Sequence, residues 1–270
     1  VLPAAALIAL TFSSDSDPNT NRRFNGRISA HRRFVFGSLS LEKVKAIKAA
    51  AGVTVNDVVL ALCAGALREL LLEVGELPDE PLVAMVPVSV RTPEQQGTFG
   101  NRVSTMVVEV PTHEPDPVRR LQRVHEVMRS AKDRHRALPA DLMQDLTQFI
   151  PPALVARSAR VLAELAGVER LRPALNLVVS NVPGPRVPLY CMGARLEANY
   201  PVSVIVDGVG LNITVLSYRD HLDFGIVADR EQIADLWPLM DAMCRALEQL
   251  DDAVCGAAAA DRPAQAPVPA

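Results

Sequence analysis

Residues 58 to 67, VVLALCAGAL, are all apolar, Cys or Gly, and a helix through them has no face to show to water. A helix that is hydrophobic all round must be covered on every side, so the chain has to build at least two layers around it. With 270 residues and 49% hydrophobic content there is enough material for one large domain or two ordinary ones. Helical spacing extends this element over about 55 to 74. Thr54, with Asp57 three positions on, forms a variant of the capping box in which Asp stands where Glu or Gln is usual.

Around that helix the pattern alternates. Residues 28 to 36 read as a strand and 39 to 52 as a helix closed by Gly52. Strands are expected over 81–91, 101–110 and 174–180. A further helix over 116–138 starts with Asp116 as N-cap and Pro117 at the first helical position, and puts Val118, Leu121, Val124 and Met128 on one face. Two helices are expected within 140–167, strand-like runs from 193 to 228 with a turn at Arg219 to His221, and a last amphipathic helix over 229–250. The fold class is α/β, a two-layer sandwich of helices on a mixed sheet. Residues 1–27 read as a linker, 28–255 as the domain, and the Ala/Pro-rich 256–270 as a disordered tail.

A net charge of -3, from 28 basic and 31 acidic residues, offers no overall attraction for nucleic acid, and with 4% aromatic residues no stacking platform interleaves the basic clusters. Cys63, Cys191, Cys244 and Cys255 show no CxxC spacing, so neither a disulfide scaffold nor a zinc site is expected, and a reducing cytoplasm is the simplest compartment. The opening VLPAAALIAL is too short to span a bilayer and has no basic stretch before it. The first residue is Val1 rather than Met, which points to the latter part of a longer product.

There is no GxSxG, P-loop, GxGxxG or HExxH motif, and the five histidines are far apart in sequence. Two polar positions stand out instead. Asp57 is explained by capping. Asn56 has an amide that the cap does not need, and at a positive helix end facing a cleft it could steady a developing oxyanion. The SNVPGP stretch, 180 to 185, holds Ser180 and Asn181 at the edge of a stiff turn, either a plain connection or a ligand or inter-domain clamp. The helix after Asp116 carries Arg119, Arg120, Arg123, Arg129, Lys132, Arg134 and Arg136, which serve either as a solvated face or as a surface for anionic head groups or coenzyme A phosphates. Arg22, Arg23, Arg27, Arg32 and Arg33 admit the same two readings.

TVNDVVLALCAGALREL, VPVSVR, GNRVSTMVVEVP, DPVRRLQRV, SNVPGPRVPLYCMGARL, YPVSVIVDGVGLNITVLSY and LDFGIVADRE occur in that order. From about 20 to 250 the chain resembles the C-terminal half of the bacterial wax ester synthase/diacylglycerol acyltransferase family. The resemblance implies one of two chloramphenicol-acetyltransferase-like domains flanking an active-site tunnel. It also implies a general-base His in an HHxxxDG motif on the N-terminal half, a motif this sequence lacks. The implied reaction moves a long acyl group from acyl-coenzyme A, a co-substrate rather than a cofactor, to diacylglycerol or a fatty alcohol, giving triacylglycerol or wax ester. Asn56 and Asp57 match the family's ND motif, with Asn56 as candidate oxyanion or substrate donor and Asp57 in support. Arg91, Ser180 and Asn181 are candidates for substrate or inter-domain contact, and no metal is expected. The implied partners are the N-terminal half and the inner membrane or a lipid-droplet surface. Two other readings stand beside this one: a non-catalytic lipid-binding module, and half of a condensation-type or polyketide-directed acyltransferase.

Overall fold

The computed structural model describes residues 22–89, 103–137 and 175–256. A short helix α1 (Arg22–Asn25) precedes strand β1 (Arg32–Ser40), helices α2 (Leu41–Ala51) and α3 (Val55–Glu73), strands β2 (Leu82–Ser89) and β3 (Val103–Val110), and helix α4 (Pro117–Ala137). Strands β4 (Leu177–Val182), β5 (Tyr190–Cys191), β6 (Ala194–Arg195), β7 (Leu211–Tyr218) and β8 (His221–Asp229) follow, then helix α5 (Trp237–Asp251) and a π-turn, Asp252–Gly256.

Six strands form one sheet in the order β1-β8-β7-β4-β2-β3, and β5 and β6 make a separate hairpin. The sheet is mixed: β7 runs parallel to β4 and β4 to β2, while the other pairs are antiparallel. The β2–β4 ladder is short and is lengthened by a side chain. Asn176 accepts the Val83 N–H on its Oδ1 (2.7 Å) and donates its own N–H to Val83 O (2.8 Å).

Alternation sorts each strand into two faces. Val35, Leu39, Ala84, Val86, Val108, Leu177, Val179, Ile213, Val215, Phe224 and Ile226 point to the helices and join α2, α3, α4 and α5 in one core. The all-apolar helix α3 lies between the sheet, α4 and α5, as its composition requires. Gly65 lets both neighbours close in: a Cβ there would sit 3.0 Å from the Arg120 guanidinium and 3.3 Å from the Ala246 methyl.

The far face is covered in part by the segment 199–210. Asn199 N–H donates to the buried Asp223 carboxylate (2.7 Å) and Asn212 Nδ2 to Val204 O (3.1 Å). The strap crosses so closely at Gly225 that a Cβ there would stand 1.7 Å from Pro201 O. Beside it Phe36 touches Phe34, Tyr200 and Trp237, with Phe34, Phe36 and Trp237 exposed.

Most expected elements form within a few residues of their expected bounds, and two need correction. The first strand covers 32–40, not 28–36, because Ile28 and Ser29 donate their N–H groups to the side chains of Asp207 and Asp229 instead of to a ladder. The last helix begins at Trp237, not 229: Asp229 closes β8, and Pro238 fits only the first turn, since deeper in a helix it would remove a hydrogen bond and clash. The helices expected within 140–167, the tail beyond 256 and the stretch 1–21 lie outside the described residues. Among the described residues no single helix is long and apolar enough to cross a membrane.

Candidate active site

Helix α3 has 19 residues and β2 has 8, which at the usual rises gives about 28 Å and about 26 Å. They are joined by the short connection 74–81, so α3 runs back along the sheet and its first turn lies at the end where β2 and its parallel neighbour β4 finish. The capping box forms. Asp57 N–H donates to Thr54 Oγ1 (3.2 Å), and Thr54 N–H donates to Asp57 Oδ2 (2.9 Å).

Capping does not exhaust Asp57. The residue is 1% exposed, and Oδ2 also meets His125 Nδ1 at 2.8 Å, from α4, 68 positions along the chain. Against a carboxylate, which only accepts, Nδ1 takes the donor role, and Nε2 has no hydrogen-bond partner among the described residues. The His125 side chain is 37% exposed, and the ring therefore bridges a sealed carboxylate and the outside. Asp57 Oδ1 is buried with no hydrogen-bond partner among the described residues. Asn56, half-buried one residue earlier, has no side-chain hydrogen bond among the described residues, and its amide sits at the partly positive end of α3.

The other candidates separate. Ser180 and Asn181 are adjacent on β4, so they point to opposite faces. Asn181 shares the helix side with Leu177 and Val179, and Ser180 sits on the far side opposite Thr214. The following Pro-Gly-Pro turn is fastened within the chain: Gly184 N–H donates to Ser217 Oγ (3.0 Å), and Arg219 N–H to Pro185 O (3.1 Å). A Cβ at Gly184 would stand 2.1 Å from Ser217 O, so the turn needs glycine there. Arg91 lies outside the described residues.

The basic helix also divides. Arg119, Arg123, Arg129 and Arg134 are exposed, Lys132 is half-buried, and none of these five pairs with a carboxylate among the described residues. Arg120 leaves that face. It is 4% exposed beside Gly65, with Nη1 donating to Glu114 O at 2.9 Å, and burial together with the charge of Arg68 lowers its affinity for its proton. Its position flanks Leu121 and Val124, and Gly65 makes the room. Arg68 likewise donates to Thr112 O and His113 O (3.0 and 2.9 Å). The N-terminal arginines scatter as well: Arg23 forks onto Glu76 and Arg33 reaches Ala234 O. Cys63 is buried within α3, and that burial pushes its thiol up to about 12. Among the described residues no group of three or more His, Cys, Asp or Glu could hold a metal.

His125 is the site residue that sequence reasoning missed. Its only signal was its place beside the buried stripe of Leu121, Val124 and Met128.

A half-exposed amide at a helix N-terminus, backed by a buried Asp–His pair, suits stabilising negative charge on a bound carbonyl. Comparisons with known proteins identify the family. A model of the wax ester synthase/diacylglycerol acyltransferase C-terminal domain matches residues 99–251, and a model of that family's catalytic domain matches 4–59, which includes Asn56 and Asp57. A Mycobacterium tuberculosis protein named as a diacylglycerol O-acyltransferase is 42% identical over 231 residues, 85% of this chain and 50% of its own length. The O-acyltransferase WSD of Acinetobacter baylyi is 39% identical over 216 residues, 80% of this chain and 45% of its own. The chain thus spans about half the length of the curated relatives it matches. Among solved structures, the wax ester synthase/diacylglycerol acyltransferase from Marinobacter aquaeolei VT8 superposes with a TM-score of 0.70 at 31% identity, covering 94% of this chain and 57% of that one. A trichothecene 15-O-acetyltransferase from Fusarium sporotrichioides, with a TM-score of 0.53 at 14% identity over 92% of this chain and 51% of that one, shares the fold alone. The chloramphenicol-acetyltransferase-like sandwich is therefore the fold of this chain, and the chain belongs to the wax ester synthase/diacylglycerol acyltransferase family, with the family's C-terminal domain over residues 99–251.

Proposed function

We propose that the chain is the C-terminal half of a long-chain acyl-coenzyme A:alcohol O-acyltransferase that makes triacylglycerol or wax ester. Residues 22–255 act as its domain, because Phe24 of α1 is buried in the core where the sequence reading put a linker through 27, and the stretch before them leads toward an N-terminal half carrying HHxxxDG. In this reading an imidazole of that half takes the hydroxyl proton of diacylglycerol or a fatty alcohol. The oxygen attacks the thioester carbonyl, and the coenzyme A sulfur leaves and receives the proton. The negative charge that develops on the carbonyl oxygen needs donors already in place. The observation that carries the reading is Asn56, its amide uncommitted among the described residues, in the first turn of α3 and within the catalytic-domain match.

Arg91, Ser180 and Asn181 are assigned to the substrate tunnel or the contact with the other half, Asn181 from the helix side of the sheet and Ser180 from the far side. Burying a long acyl chain at about 0.8 kcal/mol per methylene supplies roughly 10 kcal/mol gross, which supports an apolar channel. The exposed arginines of α4 support a peripheral place at the inner membrane or a lipid droplet, and four free cysteines support a reducing compartment.

The test is reconstitution. The chain is co-purified with an N-terminal half bearing HHxxxDG and given long-chain acyl-coenzyme A with diacylglycerol or fatty alcohol. Ester and free thiol are expected in equal amounts from the pair and neither from the chain alone. Ester made by the chain alone would remove the need for a second half, and none from the pair would return the chain to the role of a lipid-binding module.

A further inference from the structure

We infer that His125 is a positioning residue for acyl transfer: by holding the buried Asp57 carboxylate through Nδ1, it keeps the first turn of α3, and with it Asn56, in the geometry the reaction uses. The inference rests on the acyltransferase reading above. Asp57 sits almost wholly out of water, and a carboxylate there is held in place only by its donors. Among the described residues it has two, Thr54 N–H and His125 Nδ1, both on Oδ2, while Oδ1 has none. Thr54 belongs to the turn itself, so its bond moves with the turn. Among the described residues His125 makes the one side-chain hydrogen bond from that turn to a different element, α4. That bond, beside the packing of Val58 and Val59, sets where the turn stands relative to the rest of the domain, and the Asn56 side chain between Thr54 and Asp57 makes no hydrogen bond among the described residues. A simple cap needs no such tie, since Thr54 and Asp57 already satisfy each other. The imidazole does not touch the reacting atoms in this account; it acts through Asp57 and Asn56.

The experiment uses the reconstituted pair of halves with His125→Leu, which removes the donor, and His125→Asn, whose side-chain amide nitrogen can stand where Nδ1 stands. His125→Leu is expected to lower kcat per folded molecule between about ten- and a hundredfold with KM for acyl-coenzyme A little changed, because a misplaced donor costs rate rather than binding. His125→Asn is expected to restore most of kcat. In the Asn56→Ala background His125→Leu should cost little more, since both changes remove the same contribution. Unchanged kcat in His125→Leu, an Asn variant as slow as the Leu variant, or losses that simply multiply would each overturn the inference. A second readout does not need turnover. Amide hydrogen exchange at Asp57 and Val58 should speed up in His125→Leu while Leu62 to Leu67 stay protected, and unchanged exchange at 57 and 58 would also overturn it. If the wild-type pair forms no ester, the functional reading fails and the exchange measurement still decides whether His125 holds the turn.

Discussion

At the first turn of α3, Asn56 is half-buried and the His125 side chain is 37% exposed, so polar atoms there stay within reach of a ligand. Toward the last turns of the same helix, Arg120 and Thr112 are sealed from water, and the Arg68 and Arg120 guanidiniums are spent on backbone carbonyls of residues 112–115. Both ends hold buried polar atoms without hydrogen-bond partners among the described residues: Asp57 Oδ1 at one, and Thr112 Oγ1, His113 Nδ1 and Arg120 Nε at the other. Unsatisfied polar groups therefore do not mark an active site by themselves. Accessibility separates the two ends: one can meet a substrate, and the other stitches the β3–α4 connection to the core.

Four measurements would sharpen or break that contrast. The largest effect lies between the two ends, at Cys63. With its thiol raised to about 12 by burial, it should react with a thiol reagent at pH 8 roughly a thousandfold or more slowly than exposed Cys191, because only the thiolate attacks. Comparable rates would mean that the middle of α3 is open. At the accessible end, Asn56→Ala should lower kcat by about 10² to 10³ in the reconstituted enzyme with the melting temperature nearly unchanged. A fall in melting temperature with normal turnover would reduce Asn56 to a structural residue.

At the sealed end the pattern should invert. Arg120→Ala, which frees the Glu114 carbonyl and leaves a void beside Gly65, is expected to cost about 3 kcal/mol of stability in denaturant titration, with turnover per folded molecule intact. The smallest effect is at Thr112. Its hydroxyl is buried without a partner, so Thr112→Val should leave stability unchanged or raise it by about 1 kcal/mol, and a clear loss would reveal a hydrogen bond at that oxygen.

Local signals were legible in the residues. The Thr54–Asp57 box, the Gly52 stop with φ of 69°, and the Asp116 cap, whose Oδ1 accepts the Arg119 N–H at 2.7 Å, all join residues a few positions apart. The split of Ser180 from Asn181 was not read, because the strand was ended at 180 and it runs on to Val182, which puts the two neighbours on opposite faces. What lay beyond the sequence depends on distant partners. Nothing near His125 announces Asp57, and a helix wheel leaves Arg120 on its basic face until Gly65 is seen to leave a gap on the facing helix. The start of β1 was misjudged for the same reason, since Ser29 is claimed by Asp229 two hundred positions away. The start of α5 was a different failure, because Pro238 is visible in the sequence and its preference for a first turn was outweighed by the amphipathic run.

Where the strap passes Gly225, a carbonyl occupies the volume any larger side chain would claim. Replacing that hydrogen by even a methyl group forces the strap to lift, and the buried Asp223 side chain then loses the Asn199 N–H it accepts. One vacant position on a strand thus governs whether the sheet's second face stays roofed.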